Sequence, residues 1–145
     1  MENSTLKIFI LSNSEFDANN KKQFLNDLGY TNASTFSISK DLINSLIQKP
    51  HVIILNHSAQ ADTDSLISKI NNISPNTYII LLSDINENDI MRDYLFNGVF
   101  DFMIKNENVK NQLNTVLGRV KSNMSLAVVK PKKVNFLQKV SSFFW

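Results

Sequence analysis

The sequence predicts an α/β fold in which a five-stranded parallel sheet is covered by helices on both faces. Three observations carry this expectation. Runs that are apolar throughout recur along the chain at Ile8–Leu11, Val52–Leu55 and Ile79–Leu82, as strands buried on both faces of a parallel sheet require. Segments with helical spacing separate them. The 145 residues are 43% hydrophobic and hold no cysteine, so one core can form without disulfides or thiolate-bound metal.

In chain order, Ile8–Leu11 is the first strand, and Phe24, Leu25 and Leu28 form a helical stripe that stops at Gly29. Ala33–Phe36 is a weaker strand, followed by the stripe Leu42, Ile43, Leu46 and Ile47. Val52–Leu55 leads to Leu66, Ile67, Ile70 and Ile73, and Ile79–Leu82 to Ile90, Met91, Tyr94 and Leu95. Phe100–Ile104 follows the turn signal Asn97-Gly98 and precedes a long stripe, Val109, Leu113, Val116, Leu117, Val120 and Met124. Strand and helix alternate five times, which calls for right-handed crossovers and fits the flavodoxin-like strand order 2-1-3-4-5. No run approaches the roughly 20 apolar residues that span a bilayer, and Met1–Lys7, with Glu2 and a single Lys, does not read as a secretory signal. A cytoplasmic protein is expected.

In such a sheet, function gathers outside the carboxyl ends of the strands. The residues there are Ser12, Asn13 and Ser14, then Asn56 and His57, Ser83 and Asp84, and Lys105 and Asn106. Together with Lys7–Leu11, Pro50–Asn56, Ile80–Ser83 and the run Gly98–Lys105, they make residues 6–122 resemble a bacterial response-regulator receiver domain of the CheY-like type. The resemblance implies two acids after the first strand that bind Mg²⁺, an acceptor Asp ending the third, a Ser or Thr ending the fourth and a Lys ending the fifth. Here the matching positions hold Ser12, Asn13, Asn56, Ser83 and Lys105, so only the last two keep the implied chemistry. It also implies a signalling surface, at Phe102, Met91 and Tyr94.

Phosphoryl transfer to a side chain needs a carboxylate nucleophile and a divalent cation held by acids. Ser12, Asn13 and Asn56 offer neither, which predicts a degenerate pseudo-receiver with no metal, no cofactor and no catalytic residue. Glu15, Asp17 and Asp84 are the acids from which a displaced site would be built. Their simpler reading is at helix starts and loop openings, where Asp62 and Asp64 are also expected as caps. Asp101 reads as a solvated strand-edge residue. Ser83 with Lys105 lacks an oxyanion motif for nucleophilic catalysis, and the three isolated glycines form no phosphate loop.

Charge is divided unevenly. Residues 1–104 carry 7 Lys or Arg against 12 Asp or Glu, whereas residues 105–145 carry 8 against Glu107 alone. The expected organisation is a receiver-like domain at 1–124, a linker at 125–133 and a tail helix at 134–145. In that tail Phe136, Leu137, Val140, Phe143 and Phe144 fall within an arc of about 120° at helical spacing, behind Lys130, Lys132 and Lys133 and ahead of the terminal Trp145. Three roles fit such a segment: an anchor on an anionic membrane surface, a peptide for a groove on a protein partner, or a helix folded back on its own body. Nucleic acid is disfavoured, because the tail has no Arg and no recognition-helix module. The function expected from the whole is a non-catalytic signalling adaptor working by protein–protein contact and positioned by its tail. The alternatives are a phosphorylatable regulator using a displaced acid and a scaffold bound peripherally to the inner membrane surface.

Overall fold

The computed structural model describes residues 2–56, 62–84, 93–95 and 97–126. Five strands, β1 (Ile8–Leu11), β2 (Ala33–Phe36), β3 (Val52–Asn56), β4 (Tyr78–Ser83) and β5 (Asp101–Ile104), form one sheet in the order β2-β1-β3-β4-β5. Every neighbouring pair is parallel, with Ile8 opposite both Ala33 and Val52, Val52 opposite Tyr78, and Ile80 opposite Asp101. The flavodoxin-like order expected from the alternation is the one observed. Helices α1 (Glu15–Asp27), α2 (Ser39–Asn44), α3 (Thr63–Ile73) and α4 (Val109–Leu126) pack around the sheet, and residues 93–95 of the fourth apolar stripe are helical.

Alternation along each strand splits the core into two layers. Ile8, Ile10, Val52, Ile54, Ile80, Leu82 and Met103 face one side, where they meet Leu25 of α1 and Leu113, Leu117 and Val120 of α4. Phe9, Ile53, Leu55, Ile79, Leu81 and Phe102 face the other, against Leu42, Leu46, Ile67 and Ile70. The second helical stripe is shorter than its spacing suggests. After Asn44 the chain tightens into a 3-10 turn at Leu46–Gln48 and leaves it through Lys49 in the left-handed region, φ 55°. Gly98 turns the chain into β5 at φ +97°, where an added Cβ would lie 2.6 Å from Asn71 Nδ2. Only glycine takes that conformation beside that neighbour without displacing it. Among the described residues, no helix is long and apolar enough to cross a membrane.

Candidate functional site

The carboxyl ends of β1 and β3 place Ser12 and Asn56 side by side. Ser14 caps α1 by accepting a hydrogen bond from Asp17 N at 3.2 Å, and this start sets Asp17 one turn above the strand ends. Ser12, only 2% exposed, donates from Oγ to Asp17 Oδ2 at 2.9 Å and accepts from Asn56 Nδ2 at 3.2 Å and from Ser14 N at 3.2 Å. Asn56 Nδ2 also donates to Asp17 Oδ2 at 3.1 Å. One carboxylate oxygen thus ties β1, β3 and α1 together. Asn56 Oδ1 is buried without a hydrogen-bond partner.

The other oxygen of Asp17 is taken by Lys21, whose ammonium forms an ion pair and hydrogen bond with Oδ1 one helical turn on. Lys21 is 4% exposed and shares the inner face of α1 with Ala18 and Leu25. Burial pushes the Asp17 carboxyl up. The hydrogen bonds from Lys21 and Ser12 and the charges of Lys21 and Lys105 outweigh it and hold the group below the ordinary carboxylate value.

The remaining expected residues lie around this cluster to different degrees. Ser83, 2% exposed, ends β4, and its carbonyl accepts from Lys105 N at 2.9 Å. Lys105 is half-buried just beyond β5 and reaches Asp17 through its charge. Asn13, Glu15 and Asp84 are exposed, and the hydrogen bonds that join Ser12, Asn56 and Asp17 do not run through their side chains. Asp62 caps α3 as expected, accepting from Ser65 N at 3.2 Å. Asp101, expected as a solvated edge residue, instead pairs with Arg119 of α4. Phe102, expected on a signalling surface, is buried in the second core layer, its ring 5.7 Å from the half-exposed ring of Tyr94. β5 alternates, and Phe102 falls on the layer that this ring covers. Met91, His57 and the tail residues Lys132, Lys133, Phe136, Leu137, Val140, Phe143, Phe144 and Trp145 lie outside the described residues.

Two residues of the cluster escape a strand-end reading. Asp17 looks like a helix-start acid, which it also is. The signal that could have found Lys21 is its spacing from Ala18 and Leu25, which share the helix's inner stripe with it. Among the described residues no three His, Cys, Asp or Glu side chains converge.

Solved structures with the same fold are numerous. A chemotaxis response regulator of Vibrio cholerae superposes with TM-score 0.69 at 17% identity, over 79% of this chain and 98% of that one. A response regulator from Thermotoga maritima gives 0.68 at 15% identity, over 78% and 98%. A protein from Burkholderia pseudomallei described as pilus assembly-related gives 0.72 at 13% identity, over 84% and 92%. No protein-family model and no curated protein sequence matches the chain. The fold is that of response-regulator receiver domains.

Proposed function

We propose that this chain is a pseudo-receiver adaptor of the two-component type, working by protein–protein contact without aspartyl phosphorylation. The observation that carries this reading is the Lys21 ammonium on Asp17. In receiver chemistry a divalent cation neutralises clustered acids and the incoming phosphoryl group. Here a lysine of the same helix supplies the positive charge, permanently and without a ligand.

The donors at the strand ends do not fit a hard divalent cation. Mg²⁺ prefers near-octahedral oxygen coordination by carboxylates and waters. The cluster offers one carboxylate, with Oδ1 on Lys21 and Oδ2 on Ser12 and Asn56. Asn56 is the complement of Asp17: its amide donates where an Asp would set a second carboxylate oxygen about 3.1 Å from the first. As an acceptor of phosphate it is a neutral amide and a poor nucleophile.

The adaptor body is residues 1–124, joined through 125–133 to a tail at 134–145 that places it on a protein partner or an anionic membrane surface. The partner-facing surface on the β5 side is the half-exposed Tyr94, supported from beneath by Phe102. The shared fold supports this reading, as does the division between an acidic body and a basic tail.

The test is incubation with Mg²⁺ and a small-molecule phosphodonor, read by intact mass. No acid-labile phosphate is expected on the wild-type chain, nor on Asn56→Asp alone, because Lys21 still occupies Asp17. Phosphate on any Asp of the wild type overturns the proposal and establishes the displaced-acid regulator. Affinity capture with full-length and tail-deleted chains tests the adaptor half, since deletion of residues 130–145 should abolish capture while the body stays folded.

A further inference from the structure

At the amino-terminal edge of the sheet an open groove of about 660 Å³ runs between the 3-10 turn after α2 and the end of α3. Its walls include Ile43, Leu46, Ile47, Pro50, Ile73 and Pro75. Two of these are large apolar side chains standing in water, Ile47 at 85% exposure and Ile73 at 55%. Isolated exposed hydrophobes are ordinary, but a pair flanking one groove, whose remaining walls mix apolar side chains with polar ones such as Asn44, His51 and Asn76, marks a surface that gains from being covered.

We infer that the groove is covered by this chain's own C-terminal segment, residues 134–145, docked through Phe136, Val140, Phe143 and Phe144. The argument is one of place and length. α4 ends at Leu126 on this same edge, where Asn123 donates to the Tyr78 hydroxyl at 2.8 Å and Lys121 hydrogen-bonds Asn3. Thr77, the residue preceding Tyr78, lines the groove on the other side of the sheet. The crossing from one helix layer to the other is on the order of 20 Å. Residues 127–133 reach about 23 Å when extended, enough to round the edge and no more. A tether of that length holds the tail at an effective concentration in the millimolar range, far above that of a second copy or a dilute partner.

The chemistry of the segment agrees with the site. A helix of twelve residues would span about 18 Å, and at helical spacing the sequence puts the apolar residues of 134–145 on one face, with Lys130, Lys132 and Lys133 ahead of it and Lys139 on the polar side. With the apolar face against the groove, Lys139 is left on the solvent side. Capture of a partner or a membrane by the tail, as proposed above, then begins with its release from the groove. The docking itself does not depend on what the tail later meets.

Trp145 is the chain's single tryptophan, so its emission reports on the tail alone. In the full chain it is expected to lie blue of the emission of a synthetic 127–145 peptide, and to be independent of protein concentration. In Ile47→Lys/Ile73→Lys, whose sites are exposed so that circular dichroism should stay native, it is expected to move to the peptide's value. A wild-type emission equal to the peptide's, or one unmoved in the double variant, overturns the inference. A blue shift that grows with concentration assigns the groove to a second copy and also overturns it. So does a blue shift seen only with vesicles of phosphatidylcholine and phosphatidylserine, an outcome that would leave the adaptor reading standing. Because the chain has no cysteine, Ile73→Cys/Phe143→Cys gives an independent measure. Oxidation should close an intramolecular disulfide, and exclusively intermolecular bridging contradicts the docking.

Discussion

The two ends of the sheet use polar residues in opposite ways. At the amino-terminal edge, side chains serve the backbone. Thr77 Oγ1 lies 2.8 Å from the Pro50 carbonyl and 2.6 Å from Ser74 Oγ, His51 Nδ1 accepts from Lys7 N at 2.9 Å, and Asn3 Nδ2 donates to the Leu28 carbonyl at 2.7 Å. Each satisfies a main-chain group that the sheet and helices leave open. At the carboxyl edge Ser12, Asp17, Lys21 and Asn56 bond mainly to one another. That edge carries caps as well, Ser14 on α1 and Asp62 on α3, but its central cluster holds charges, and these are matched internally. Polar groups at one end close the fold, while those at the other form a network in which a lysine neutralises the carboxylate at its centre.

The comparison predicts its largest effect at Asp17. Asp17→Asn keeps the shape and removes the charge, leaving the Lys21 ammonium, 4% exposed, without a counter-charge. The expected cost is on the order of 3 kcal/mol, read by urea unfolding at pH 7. Adding Lys21→Met should recover most of it, because an apolar side chain on that inner face has no charge to satisfy. If the double variant is no more stable than the single one, Asp17 contributes through its bonds to Ser12 and Asn56, not through Lys21.

Acid should reveal the same pair. A carboxyl held below its ordinary value of 3.8 contributes stability that is complete above that value and is lost as pH falls through the folded-state value. The wild type should therefore weaken below about pH 4. In Asp17→Asn/Lys21→Met that acid limb should be shallower, since one of the carboxyls that give rise to it is gone while Asp27, also held below its ordinary value, remains. Unfolding midpoints measured between pH 7 and pH 2 check the difference.

The amino-terminal edge gives a smaller and simpler number. Thr77→Val preserves volume and deletes the hydroxyl, so the buried Pro50 carbonyl and Ser74 Oγ both lose a partner. About 1–2 kcal/mol should follow, with no change in pH dependence, because nothing ionisable is involved. A pH-dependent loss would show that the two ends are coupled.

How far the sequence announces each end follows from the same contrast. Ile8–Leu11 and Ala33–Phe36 are strands at the bounds their patterns indicate, and β3 and β4 each extend one polar residue past their apolar runs, to Asn56 and Ser83. Hydrophobic burial writes itself along the chain at fixed periods, so topology was readable. The strand-end positions Ser12, Asn56, Ser83 and Lys105 were readable for the same reason. The Asp17–Lys21 pair was not, because a helix-start acid looks alike whether it faces solvent or the strand ends, and the lysine's place on the inner stripe matters only once the helix is docked. Phe102 shows the limit in the other direction: strand alternation assigns it a face, but only the packing of residues 93–95 decides that the face is covered.

The smallest effect belongs to Lys105. The resemblance to receiver domains implies a lysine here that neutralises phosphate and acids. Here it is half-buried, and Asp17 feels it only as a charge behind Lys21 in the order of influences. Lys105→Met should therefore change stability at pH 7 by less than about 0.5 kcal/mol, the range of substitutions that break no specific network. Its one expected trace is in acid. With one of the charges that lower Asp17 removed, the carboxyl protonates at slightly higher pH, so the acid limb of the unfolding profile should move up by a small fraction of a pH unit. The same substitution in Asp17→Asn/Lys21→Met should leave the profile unmoved, since Asp17, the carboxylate that Lys105 acts on, is gone. A loss of several kcal/mol at neutral pH would instead place Lys105 inside the network and make it, rather than Lys21, the cation that holds the strand ends together.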